Sequence, residues 1–277
     1  MGVTSKAKRV LLMVCAVALL GAASGCGDQA AGTYTGPLYS DGEHGAAGDA
    51  IQCSTPVRGG IAGHSPYAEG ATAQTLDGAW ETARSEAAFD GATSTSGYEI
   101  AAEDEDRVLY AFEVGGEPKQ AVIIRNGPAT DGAGGPGWYV ESWARCDLSE
   151  FPDAVAEANF GLQIWTDDTG ERVSTGQIES YPGPEHCDWQ NMTFLYLNED
   201  GPDQAFYVRR PDSEPYLREH FAEPFDSTLP LPADAVDTGY ECAGEHLWLS
   251  PDEQRAYVGT SEQVELWPRT IKPLRCL

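Results

Sequence analysis

Apolar residues cluster in three neighbouring stretches in the first half of the chain, at 107–114, 120–125 and 138–146, and many of them are β-branched or aromatic. Short runs of this composition predict β-strands, and the Gly-Gly-Glu-Pro sequence at 115–118 predicts a hairpin between the first two. A helical pattern precedes them over 73–89. Its apolar residues recur at three- and four-residue steps, at Leu76, Ala79, Trp80, Ala83 and Ala87. A helix followed by a meander is typical of an α+β unit, which we place at residues 51–150.

The second half, residues 151–277, has the pattern of a mostly β unit. Short apolar runs alternate with turn-forming residues, and these runs lie at 162–165, 172–178, 192–197, 205–208, 247–249, 256–258 and 264–267. Residues 211–239 are rich in proline, and we expect them to wrap the surface. The chain as a whole is therefore predicted to be an α+β protein rich in antiparallel sheet. Because the first meander leaves one sheet face uncovered, we expect the two units to pack as one body.

The first 26 residues have the order of an export signal. Lys6, Lys8 and Arg9 precede an apolar run from Val10 to Leu20, and small residues then lead to Cys26. The apolar run is too short to span a bilayer. A cysteine directly after Ala-Ser-Gly resembles a lipobox, in which the thiol is lipidated and begins the mature chain. The sequence thus predicts a signal peptide at 1–25 and a lipid anchor at Cys26; a plain secretory signal that ends beside a cysteine is the alternative.

Residues 26–50 consist mainly of Gly, Ala, Ser, Thr and Asp, and we expect them to form a flexible tether. The anchor and tether predict an extracytoplasmic protein whose contact with the cell membrane is its lipid. The formal net charge of the 277-residue chain is −27. Such a charge repels phosphate backbones, so we expect no nucleic-acid partner.

Several segments resemble those of uncharacterised actinobacterial lipoproteins and secreted proteins. The resemblance covers roughly residues 100–277, and the segments that carry it are Cys146-Asp-Leu-Ser-Glu-Phe151, His186-Cys187-Asp-Trp189, Leu231 to Tyr240, Leu247-Trp-Leu249, and Trp267-Pro-Arg269 before Cys276. It implies that cysteines belong at positions 187 and 276, whereas Cys242 is an addition. It implies no activity.

Five cysteines follow Cys26, and export to an oxidising compartment predicts disulfides among them. We favour Cys187–Cys276, which ties down the C-terminus, and Cys53–Cys146, which pins the irregular start against the third strand. Cys242 is then free. A Cys53–Cys242 bond that leaves Cys146 free remains a competitor.

The sequence contains no motif that names a reaction. The five histidines form no short metal-ligand pair, and neither a nucleophile elbow nor a P-loop occurs. We therefore assign no catalytic residue, no metal and no cofactor. The seven tryptophans lie mostly on predicted strands, where core packing is the default, but an exposed aromatic stripe on a sheet would bind glycan or peptide.

These observations favour a lipid-anchored cell-envelope protein that binds an envelope glycan or a protein partner without catalysis. The alternative is an extracytoplasmic hydrolase that acts on envelope glycan or peptide through an unrecognised site. A deep pocket with converging polar groups would favour the hydrolase, and a shallow aromatic groove would favour the binding protein.

Overall fold

Antiparallel sheets dominate the fold. The structure is a computed structural model, and it describes residues 34–61, 73–85, 97–128, 136–197, 205–211 and 215–275. Within those ranges there are three short α-helices and thirteen strands in three sheets. The predicted class, α+β and rich in antiparallel sheet, is confirmed. The predicted leader, Cys26 and the first residues of the predicted tether lie outside the described residues.

The first sheet has five strands. Their spatial order is β1 (Arg58–Ile61), β5 (Pro136–Arg145), β4 (Glu117–Pro128), β3 (Arg107–Val114) and β2 (Tyr98–Glu103). The meander of β3, β4 and β5 corresponds to the three predicted strands, with the β3–β4 turn at Gly115 and Gly116. Both glycines have positive φ, which a tight turn requires and which few other residues adopt easily.

Helices cover both faces of this sheet. Helix α1 (Gly45–Ala50) packs with Leu109, Ile123 and Ala144 on one face. Helix α2 (Leu76–Ser85) packs through Ala79 and Ala83 on the opposite face, over the side chains that alternate with the first set. The predicted helix at 73–89 is therefore present over a shorter range of the described residues.

The predicted tether at 26–50 is wrong for the part that the structure describes. Leu38, Ala46, Ala47 and Ala50 are all buried in the cluster under α1. The sequence shows almost no large aliphatic residue here, which suggested a flexible segment. Alanines nevertheless bury well when a short helix lies close to a sheet, because their small side chains allow a near approach.

Two further sheets form the second half. One contains β6 (Ile178–Pro182), β7 (Thr193–Leu197) and β8 (Ala205–Arg209) in that order. The other contains β10 (Val236–Cys242), β11 (Glu245–Leu249), β12 (Arg255–Gly259), β13 (Val264–Pro268) and β9 (Asp226–Leu229). Their shared core includes Trp165, Leu195, Tyr207, Leu247 and Trp267, all of them buried.

Two sequence expectations for this half need correction. The apolar runs at 162–165 and 172–178 were expected to be strands, but they pair only through isolated bridges such as Thr166 with Arg172, and β6 begins only at Ile178. The proline-rich segment 211–239 does more than wrap the surface. It contains β9, the start of β10 and a 3-10 turn, Pro215–His220, whose Leu217 is buried.

A disulfide between Cys53 and Cys146 joins the segment before β1 to the end of β5. This is the pairing that the sequence favoured for the first half. Cys242 is free, and burial raises the pKa of its thiol to about 11. Cys187 is disulfide-bonded, and its predicted partner Cys276 lies outside the described residues.

Charged side chains hold the same segment beside the disulfide. The buried Lys119 ammonium donates to the carbonyl of Gln52 at 2.8 Å and to Glu150 at 3.0 Å. Glu150 also accepts hydrogen bonds from the backbone N–H groups of Ser54 and Thr55. Burial alone would raise the pKa of Glu150, but these hydrogen bonds outweigh it and lower the pKa.

α3 (Asp153–Phe160) follows β5 and leads into the second half. Just before it, the buried carboxylate of Asp147 accepts hydrogen bonds from the backbone of Ser149 and from both the backbone and the hydroxyl of Thr175. These contacts connect the end of the first sheet to the start of the second half.

Candidate functional site

The face of the three-stranded sheet that points away from the core of the second half is aromatic, and its Phe194 packs with Leu217 and Phe221 of the segment that follows β8. Pairing in register places Tyr181 opposite Phe194, and Tyr196 opposite Phe206. Residues opposite one another share a face, so these four rings lie on the same side of the sheet. The alternate residues, Ile178, Leu195, Leu197 and Tyr207, point into the core shared with the five-stranded sheet of the second half.

A groove with a volume of about 660 Å³ lies over this face. Its lining includes the aromatic residues Tyr181, Trp189, Phe194 and Phe206. Residues 270–274, which include Pro273, form one wall, and Pro182 and Pro184 complete the lining. We call this site the aromatic groove. Its volume falls in the range of pockets that bind small molecules or short polymer segments.

The rings in the groove hold one another in place. The Tyr181 and Phe194 rings are stacked with centroids 5.9 Å apart, and Trp189 lies 6.0 Å from Phe194 in a tilted arrangement. The Trp189 indole N–H donates to the Tyr216 hydroxyl at 2.9 Å. Trp189 and Phe194 are themselves buried, so they fix the orientation of the partly exposed Tyr181 ring, and the apolar surface is largely preformed.

The wall at 270–274 is anchored through its backbone and side chains. The Thr270 N–H donates to the carbonyl of Phe206 on β8, and the Ile271 N–H donates to the carbonyl of His220, both at 2.8 Å. His220 Nδ1 lies 3.0 Å from the carbonyl oxygen of Pro273, and Lys272 forms an ion pair with Glu219 at 3.0 Å. The Ile271 side chain remains 55% exposed beside the groove.

A carboxylate lies on the same sheet face. Glu179 is two residues from Tyr181 and pairs in register with Tyr196. Burial raises the pKa of its carboxyl, and the nearby Arg58 opposes that effect only in part. Burial also raises the pKa of the Tyr181 hydroxyl, with a further contribution from the charge of Glu179.

The described residues that line the groove include no carboxylate, no histidine and no cysteine. No serine, threonine or cysteine side chain in the described ranges is hydrogen-bonded to a histidine, as a nucleophile and its base would be. Within the described ranges, one group of potential metal ligands occurs away from the groove, at Cys53, Cys146 and Glu150. Its two sulfur atoms are bonded to each other in a disulfide.

The structure places most residues that the sequence singled out away from the groove. None of the seven tryptophans is exposed, and Trp165, Trp189, Trp248 and Trp267 are buried, so core packing holds for them. The acidic turn at Asp167 binds its own backbone and Thr169. Sequence reasoning missed the groove itself. A usable signal was the unbroken apolar run Phe194 to Leu197, since a strand that is apolar on both faces needs a partner on each.

None of the helices among the described residues has the length and apolarity needed to cross a bilayer. No family model matches the chain, and the searches of curated proteins and of solved structures also found no match.

Proposed function

We propose that the protein is an exported binding protein of the cell envelope that holds an apolar part of its ligand in the aromatic groove and catalyses no reaction. The observation that carries the proposal is the chemistry of that groove, which combines four aromatic residues, two of them buried, and three prolines with few polar groups. Sites of this composition derive affinity from burial of apolar surface.

The cellular location in this proposal is the outer side of the membrane, reached through a lipid on Cys26. The cationic, apolar and small-residue order of the first 26 residues supports it. The Cys53–Cys146 disulfide is in keeping with an oxidising compartment. Replacement of Cys26 by Ala should release the protein from the membrane fraction of cells. Equal membrane retention of the variant would refute the anchor.

The groove is tested with a variant that leaves the fold intact. Ile271→Asp places a carboxylate at the groove, where a bound apolar ligand would have to desolvate it. Val236 on β10 is the matched control, because it is similarly exposed, at 54% against 55% for Ile271, and lies on another sheet. Nile red, a neutral apolar dye, is a suitable probe, and its fluorescence reports binding.

We expect wild type and Val236→Asp to bind the dye with equal affinity and Ile271→Asp to bind it at least tenfold more weakly, by about 1.4 kcal/mol or more. Dye binding that Ile271→Asp does not change would refute the groove as the site. Incubation of the wild type with cell-wall glycan and with peptide mixtures, followed by mass spectrometry, tests the alternative that the protein is a hydrolase. Bond cleavage that disappears in Ile271→Asp would overturn the non-catalytic role.

A further inference from the structure

The polar side chains around the groove are mostly engaged within the protein. The Trp189 indole donates to Tyr216, the Thr270 hydroxyl lies 3.3 Å from the carbonyl of Phe206, and Lys272 pairs with Glu219. Tyr181 differs, because its hydroxyl has no hydrogen-bond partner in the described part of the chain. The described lining residues therefore offer a ligand one free hydroxyl donor and little else that is polar.

This scarcity excludes ligands whose groove-bound part is polar. A sugar would exchange many hydrogen bonds with water for few with the protein, and each group left unsatisfied costs free energy. A peptide with ordinary residues would bury backbone N–H groups in the same way. Proline has no N–H, and its carbonyl can accept a hydrogen bond from a tyrosine hydroxyl. A proline-containing segment is thus the polypeptide that suits this lining.

The size of the groove favours a short extended segment. One turn of an α-helix, with a diameter of 10–12 Å and a pitch of 5.4 Å, occupies roughly 500 Å³. The groove, at about 660 Å³, would therefore hold little more than one turn. A single turn is not stable as a helix in water, whereas a polyproline II segment keeps its shape without internal hydrogen bonds.

The charge around the groove favours a basic flank on the ligand. Glu185 and Asp188 lie in the short turn between the groove residues Pro184 and Trp189. Both are exposed, and neither forms an ion pair with a residue that the structure describes. The whole chain carries a formal charge of −27, which attracts cationic partners and repels anionic ones.

We propose that the occupant of the aromatic groove is a short proline-rich segment of another envelope protein, flanked by lysine or arginine. The proline rings stack on Tyr181 and Phe206, which are partly exposed, one ligand carbonyl accepts from the Tyr181 hydroxyl, and the basic residues face Glu185 and Asp188. This inference rests on the proposed function and adds the chemical class of the partner.

Panning of a phage-displayed library of random 12-residue peptides tests the inference. The purified mature protein is compared with Ile271→Asp and Val236→Asp. We expect wild type and Val236→Asp to enrich peptides with two or more prolines and an adjacent lysine or arginine, and Ile271→Asp to enrich none of them. In a synthetic copy of the best peptide, replacement of the prolines by alanine should weaken binding at least tenfold.

The charge is tested separately with the double variant Glu185→Gln, Asp188→Asn. It should weaken binding of the same peptide by three- to tenfold at low salt and by less at high salt. Glu99→Gln, Glu113→Gln is the matched control, because both residues are exposed on the first sheet. It should leave the affinity unchanged.

Two results would overturn the inference while leaving the proposed function in place. One is Nile red binding that depends on Ile271 without any enrichment of proline-rich peptides. The other is displacement of the dye by a neutral lipid such as dodecanol but not by the peptides. Loss of Ile271-dependent dye binding would instead overturn the proposed function itself.

Discussion

Replacement of Asp147 by alanine should destabilise the whole protein, because this carboxylate connects the two halves. Its side chain is only 5% exposed. Oδ1 accepts from the backbone N–H groups of Ser149 at 2.9 Å and Thr175 at 2.8 Å, and Oδ2 accepts from the Thr175 hydroxyl at 2.6 Å. Burial alone would raise the pKa of Asp147, but these hydrogen bonds outweigh it and hold the pKa below its ordinary value.

The magnitude follows from the donors that alanine leaves without an acceptor. Three donors lose their acceptor in a buried position, and each unsatisfied group costs about 1–3 kcal/mol, although the hydroxyl can rotate toward another acceptor. We therefore expect Asp147→Ala to lower the free energy of unfolding by about 3–5 kcal/mol. Asp147→Asn keeps an acceptor oxygen for both backbone N–H groups and loses the charge, so its expected cost is about 1–2 kcal/mol.

Urea unfolding monitored by tryptophan fluorescence, with the disulfides intact, measures both variants. Because the folded-state pKa of Asp147 is lowered, its ionised form stabilises the protein above the ordinary Asp pKa, and this stabilisation is lost as the pH falls through the folded value. The difference between wild type and Asp147→Asn should accordingly shrink in acid. Equal stabilities of Asp147→Ala and Asp147→Asn at pH 7, or a cost below about 1 kcal/mol for alanine, would refute the reasoning.

Two more predictions concern the carboxyl of Glu179 and the Cys53–Cys146 disulfide. Burial raises the pKa of Glu179. Between the ordinary Glu pKa and this raised pKa, the native state binds more protons than the unfolded state. The free energy of unfolding therefore falls as the pH rises through that interval. Glu179→Gln should therefore be more stable than wild type in urea at pH 7, with a gain that shrinks below pH about 4; a less stable variant at pH 7 would contradict this. The Cys53–Cys146 bond spans 93 residues, so the double serine variant should lose about 4–5 kcal/mol on the chain-entropy model. A loss under about 1 kcal/mol in the same assay would show that the hydrogen bonds of Glu150 hold the segment without the disulfide.

Local sequence patterns were sufficient for most strands. The meander β3–β5, its glycine turn and the strands β7, β8 and β11–β13 all lie where short apolar runs next to turn residues predicted them. This pattern identifies strands because each of them buries one face or both faces in a sheet. It fails for 162–165 and 172–178, because the bridges formed here are isolated, such as those from Thr166 to Arg172 and to Glu241, and no continuous ladder forms. It fails for α1 because burial of alanines leaves no aliphatic pattern to detect.

The sequence by itself determined the sheet-rich class, the strong negative charge, the predicted export signal ending at Cys26, and a preference for the Cys53–Cys146 bond. These properties depend on composition and on neighbours within a few residues. The tertiary structure alone decided where the candidate site lies. Tyr181, Phe194 and Phe206 come from three different strands, and the wall at 270–274 is more than sixty residues further along the chain than Phe206. No local period encodes such a meeting, since it depends on which strands pair and on which of their faces the rest of the chain leaves uncovered.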